Sequence, residues 1–144
     1  MRKQSTHRRN SIRGHSVVEV ALLAPWIFFL FAGTLDLGFY AYALIATQNA
    51  ARAGAEYTSK STKTSTDSTG ACQYALIGLQ AMPNVRSLSS CSGAPLTVTA
   101  SQVTGIDGKL ASSVSVTYQT NYFIPIPGVA GQMNVTRAVQ MRIL

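Results

Sequence analysis

Beyond residue 15 this chain has no histidine, and its 144 residues include only two cysteines and five carboxylates. A zinc site needs several His, Cys or carboxylate ligands in one patch, and a nucleophilic triad needs a base, most often histidine. The body of the protein has no histidine for these roles, so no catalytic residue, no metal and no cofactor is expected, and the chain does not read as an enzyme. Charge is scarce as well, at 12% of residues against 47% hydrophobic. The length fits one small domain and excludes separate cofactor and substrate domains. The net charge of +7 is unevenly spread. Arg2, Lys3, Arg8, Arg9 and Arg13 crowd into the first 14 residues with no acid among them, while the rest carries seven basic and five acidic groups. The basicity is a tag on one end. That tag has no aromatic residue and adjoins an apolar run, so it reads as topogenic charge and not as a nucleic-acid contact.

What the sequence has instead is a long apolar run. Residues 20–35 contain no charge, and after Asp36 the run continues to Ala46. Roughly 20 helical residues cross a bilayer's hydrocarbon core, so the run is long enough for one transmembrane helix. Five positive charges precede it and only Arg52 lies close behind it, which predicts a cytoplasmic N-terminus and an exported body. A cleavable signal is the competing reading, with Ala41-Tyr42-Ala43 as its A-x-A site, but the apolar stretch before it is too long and is broken by Asp36. The alanine-rich residues 47–57 permit the helix to continue. Counted from His15 it would then span about 60 Å, more than a bilayer requires. Pro25 is expected to kink it. The aromatic set from Trp26 to Tyr42 reads as lipid and packing surface.

The exported body begins after a Ser/Thr-rich stretch, residues 57–70, with nine Ser or Thr and no aliphatic side chain. Such a composition cannot bury a core, so 58–70 reads as a linker or exposed loop. Residues 71–82 place Cys72, Leu76, Leu79 and Met82 near one helical face, and Pro83 ends that short helix. Period-two alternation marks strands at 96–101 and 114–122, with a turn at Gly105-Ile106-Asp107-Gly108, and a third strand at 133–143 whose apolar face is broken by Arg137. The IPIPG segment at 124–128 ends the second strand. The fold class is therefore α+β: a long N-terminal helix, a short second helix, and an antiparallel sheet of about three strands over residues 71–144. A domain this small benefits from a covalent staple. Cys72 and Cys91 enclose 18 residues, and a bridge closing such a loop is worth about 3 kcal/mol. In an oxidising compartment they would pair, and otherwise they are two buried thiols.

Ahead of the apolar run stands Arg13-Gly14-His15-Ser16-Val17-Val18-Glu19-Val20. A carboxylate in the first turn suits the helix dipole, yet a charge this close to hydrocarbon is a functional candidate. Together with Ala24-Pro25, Asp36 with Gly38, and Asn49-Ala50-Ala51-Arg52-Ala53-Gly54-Ala55, this segment resembles the type IV prepilins, and more closely the TadE-like pseudopilins of the tight-adherence (Tad) pilus, over residues 14–60. The resemblance implies that an aspartic prepilin peptidase of the inner membrane cuts after Gly14, removing residues 1–14 and leaving His15 first. It also implies that Glu19 is the helix carboxylate used in assembly, and that partners are other Tad pilins and pseudopilins, the inner-membrane pilus assembly platform and membrane lipid. Asp36 is either a residue snorkelling to the outer interface or a polar contact between helices.

Two function classes follow. One is a structural subunit, a minor pilin or pseudopilin in a bacterial envelope. The other is a single-pass anchored envelope protein whose exported domain binds a partner, with Gly14 and Glu19 incidental. Cleavage at Gly14 discriminates between them.

Overall fold

A computed structural model describes residues 13–121 and 132–144, with 13–15 by backbone alone. Leader residues 1–12, Tyr122 and the IPIPG segment at 124–128 lie outside the described residues. The architecture is α+β, with α1 (Arg13–Thr58), α2 (Ser68–Gly78), β1 (Ser92–Gly93), β2 (Leu96–Thr104), β3 (Leu110–Gln119) and β4 (Asn134–Arg142). By its contacts the chain divides into Met1–Leu37 and Gly38–Leu144.

In the first unit the described residues belong to α1, and Pro25 lies inside the helix. Its large apolar side chains face outward all round: Leu22, Trp26 and Phe28 are 68%, 70% and 72% exposed. A helix hydrophobic on every side needs lipid or protein around it. Among the described residues α1 is the one helix long and apolar enough to cross a membrane.

In the second unit α1 changes character. Ala43, Ala46, Thr47, Ala50, Ala51, Gly54, Ala55 and Thr58 are buried, and their alternating spacing of three and one defines a single helical face. Every one of them is small, so the backbones of neighbouring elements come close. A Cβ added at Gly54 would sit 3.1 Å from Val114 Cγ1 of β3 and 3.5 Å from the Ala71 carbonyl of α2, and one added at Gly78 would sit 3.2 Å from Ala50 Cα. The core is the layer that this closeness makes: alanines of α1, then Ala71, Cys72, Ala75 and Leu79, then Leu96, Val98, Val114, Val116 and Tyr118 of the sheet.

The sheet has four strands, not three, in the antiparallel order β1-β2-β3-β4. The additional strand is only two residues long, paired as Ser92↔Thr97 and Gly93↔Leu96, too short to leave a periodic signal in sequence. The next bond along that edge runs from Val98 N–H to the Cys91 carbonyl at 3.0 Å, and Cys91 is bonded through sulfur to Cys72 on α2. The register Leu96↔Tyr118↔Val135, Val98↔Val116↔Arg137 and Ala100↔Val114↔Val139 sets the inner face. On the outer face the same register stacks Thr97, Thr117 and Thr136 in one row and Ser101, Ser113 and Gln140 in another.

The second helix begins three residues before the expected Ala71, because Asp67 caps it by accepting from Thr69 N–H and Gly70 N–H at 3.1 and 3.0 Å. It ends at Gly78, and a series of turns carries the chain past Pro83. The Ser/Thr stretch read as a linker is built into the second unit: Thr58 and Ser65 are fully buried. Their hydroxyls find partners in place of an apolar core. Ser112 Oγ of β3 lies 2.7 Å from Thr58 Oγ1 and 3.2 Å from the Ser65 carbonyl, and Ser65 Oγ donates to the Thr62 carbonyl at 2.6 Å. Low polarity around such a network strengthens it.

Replacing Gly54 by leucine tests the close helix–sheet approach. Overpacking costs up to about 3 kcal/mol, and the roughly 1 kcal/mol of helix propensity gained by losing glycine offsets part of it. We expect a net loss of about 2 kcal/mol, measured as a lower denaturation midpoint in detergent; an unchanged midpoint would mean that α1 is not held against β3 at this position.

Candidate assembly surface

The residues singled out in sequence fall at separate levels along α1. Gly14 and His15 are in its first turn, by backbone. Glu19 follows one turn later with its side chain exposed, and Asp36 is half-buried. About 25 Å of helix separates the two acids, so they do not form one site. Pro25 follows Ala24, which with Val20, Leu23, Ile27, Phe28 and Phe31 lines a shallow apolar groove of about 450 Å³. The groove exists because Ala24 leaves a hole between large side chains at spacings of three and four, a shape that accepts a side chain from another helix.

At the other end, α1 is clamped into the domain by side chains that composition did not reveal. Tyr57 donates its hydroxyl to Asp67 Oδ2 at 2.8 Å and stacks on Tyr74 of α2 with ring centroids 4.9 Å apart. Lys60 Nζ sits 5.9 and 5.8 Å from those two rings, within cation–π range. Gly70 lies directly against the Tyr57 ring, leaving no room for a side chain. Asp67 thus accepts from the α2 cap and from Tyr57 at once. Its carboxyl is held below the usual carboxylate range chiefly by the Gly70 N–H, then by the Tyr57 hydroxyl. The signal that could have found this clamp is an aspartate at the head of a short helix, obscured by the Ser/Thr run around it.

Between α1 and β4 lies a second feature missed in sequence, a cleft of about 260 Å³ lined by Leu44, Ile45, Gln48, Asn49 and Arg137. It opens because α1 lies against β3 and leaves the inner side of β4 only partly covered: Val139 and Met141 are half-buried and Arg137 is exposed. Arg52, one turn beyond Gln48, is tied to Glu56 at 3.2 Å. Cys72 and Cys91 are brought together on the far side of the core, their Cα atoms 5.7 Å apart. Among the described residues no group of three His, Cys, Asp or Glu side chains could hold a metal ion. The described residues present an apolar helix carrying Glu19 and Asp36, and a stapled domain carrying a cationic cleft.

The family model described as TadE-like protein matches residues 14–56, which is α1 almost from end to end. No curated protein and no solved structure matches the chain.

A depressed Asp67 pKa fixes the sign of a pH dependence. The stabilisation is present above the ordinary carboxylate value of 3.8 and lost as pH falls through the lower folded value. Thermal unfolding between pH 7 and pH 2 is expected to show a falling midpoint in the acid limb, and Asp67→Asn, which can still cap but does not titrate, is expected to flatten that limb. Identical acid limbs in the two proteins would remove Asp67 from the clamp.

Proposed function

We propose that this chain, TadE-like along its long helix, is a minor pilin or pseudopilin, a structural subunit in assembly of a Tad-type pilus for surface adhesion. The observation that carries the reading is the match to residues 14–56, which includes the Gly14 junction, Glu19 and the whole apolar run on one 46-residue helix. The helix half with exposed Trp26, Phe28 and Phe31 lies in the bacterial inner membrane before assembly and among other subunits' helices afterwards. The N-terminus is cytoplasmic and the stapled domain exported, in keeping with the charge asymmetry and with a disulfide that needs an oxidising compartment.

The mechanism turns on charge. Before processing, the basic leader holds the helix end on the cytoplasmic side. Prepilin peptidase cuts after Gly14, removing that anchor and creating an ammonium at His15. In a helix bundle Glu19 loses water and needs a cation, and a neighbouring subunit's new N-terminus is the nearest one that processing supplies. Pro25 gives the helix a bend at which to leave the membrane. Other Tad pilins and the inner-membrane assembly platform are the partners.

Two measurements test this. N-terminal sequencing of protein from peptidase-competent cells should read His15 first, and Gly14→Val should leave a longer, uncut form in the membrane; an intact Met1 or Arg2 terminus, or one at Leu44, would favour an anchored bystander or a secretory signal. Glu19→Gln should be processed normally and still span the membrane, yet fail to co-purify with other pilins, since an unpaired buried charge costs on the order of 3–5 kcal/mol. Equal processing with equal co-purification would reduce Glu19 to a helix-start carboxylate.

A further inference from the structure

The cleft between α1 and β4 combines an apolar wall, Leu44 and Ile45, two amides, Gln48 and Asn49, and one guanidinium, Arg137. Arg137 stands on the inner face of the sheet, across from Val116 and between Val135 and Val139 on its own strand, a row that is otherwise apolar. Among the described residues its guanidinium makes no hydrogen bond or ion pair. Surface charge alone would place an arginine on the outer face, where the neighbours are Thr and Ser.

The complementary group is on this same chain. α1 carries three acids: Glu56 is taken by Arg52, Glu19 is assigned above to the processed N-terminus, and the Asp36 carboxylate has no hydrogen bond or ion pair among the described residues. Asp36 shares its helix face with Phe39 and Tyr40, 43% and 37% exposed, so it presents one carboxylate within an apolar surface. That is the inverse of the cleft.

We propose that the Arg137 cleft receives Asp36 of a second copy of this chain, with Phe39 and Tyr40 of that copy toward Leu44 and Ile45 and the amides of Gln48 and Asn49 donating to the carboxylate. The pairing rests on the assembly reading. Arg137 lies outside the residues matched by the TadE-like model, so this contact is a property of this chain's own domain.

The test uses full-length protein in pilus-forming cells. One copy carries Asp36→Cys and one epitope, the other Arg137→Cys and a second epitope, with Cys72 and Cys91 still bridged. Mild oxidation is expected to give a covalent dimer bearing both epitopes, exceeding the dimers formed by either variant alone. In parallel, Arg137→Asp should lower co-precipitation of two differently tagged copies about fivefold, the scale of one partly exposed ion pair, and Asp36→Arg in the partner copy should restore it. A mixed dimer with restoration by the charge swap supports the pairing. Absence of the mixed dimer, a cross-link from position 137 to a different protein, or no restoration overturns it. If the copies still co-purify with other pilins in that case, only the docking is wrong; if they do not, the assembly reading falls with it.

Discussion

The rest of the second unit depends on how closely the sheet and the second helix approach the later part of α1, and that distance is set by eight small residues on one face. With Ala50, Ala51, Gly54 and Ala55 at the contact, Val114 and the Ala71 backbone lie against the helix surface itself. Larger residues there would lift β3 and α2 away and open the core that Leu79, Leu96, Val98 and Val116 close. Earlier in the same helix stand exposed Trp, Phe and Leu. Side-chain size along α1 thus separates a portion that is large and apolar on every side from a portion built to meet one fixed partner.

Around this contact, polar bonding does work that apolar area cannot. A domain of this size buries little hydrophobic surface, and its closures are specific instead: the Cys72–Cys91 bridge, the Ser112–Thr58 hydroxyl pair, Tyr118 donating to Asn84 Oδ1 at 2.6 Å while Asn84 Nδ2 donates to the Gln119 carbonyl at 2.9 Å, and Ser68 Oγ accepting from Ala100 N–H at 2.9 Å. The last of these, with the Cys91 carbonyl, occupies the outer edge of β2 and leaves less of it open to stray strand pairing. Burial pushes the Tyr118 phenol up from its ordinary value, partly countered by Asn84.

The long helix and three longer strands were legible because each carries a periodicity that tertiary context does not contradict: an uninterrupted apolar run, and Val and Tyr alternating with Ser and Thr. The two-residue β1 was not, since it is held by its neighbours and by Cys91 and has no pattern of its own. Residues 58–70 look like solvent-exposed chain by composition, yet hydroxyls can be buried when they satisfy one another, and their partner Ser112 is 54 residues from Thr58 in sequence. Arg137 was visible as a break in an apolar face. Its meaning required the register, which sets it beside Val116 and opposite Gln48 and Asn49 on α1, a juxtaposition no local reading supplies.

The end of α1 also determines how the domain would bear a mechanical load. Thr58 is bonded to Ser112 of β3, and the Ser59 carbonyl accepts from Leu144 N–H at 3.0 Å, so the last turn is fastened both to a central strand and to the chain's final residue. Tension drawn along the helix enters the sheet at Ser112 and at Val114, against Gly54, and enters α2 where Gly78 meets Ala50, so these contacts are loaded together. The disulfide loop from Cys72 to Cys91 lies off that path. It guards against thermal opening, while resistance to pulling resides in the alanine face.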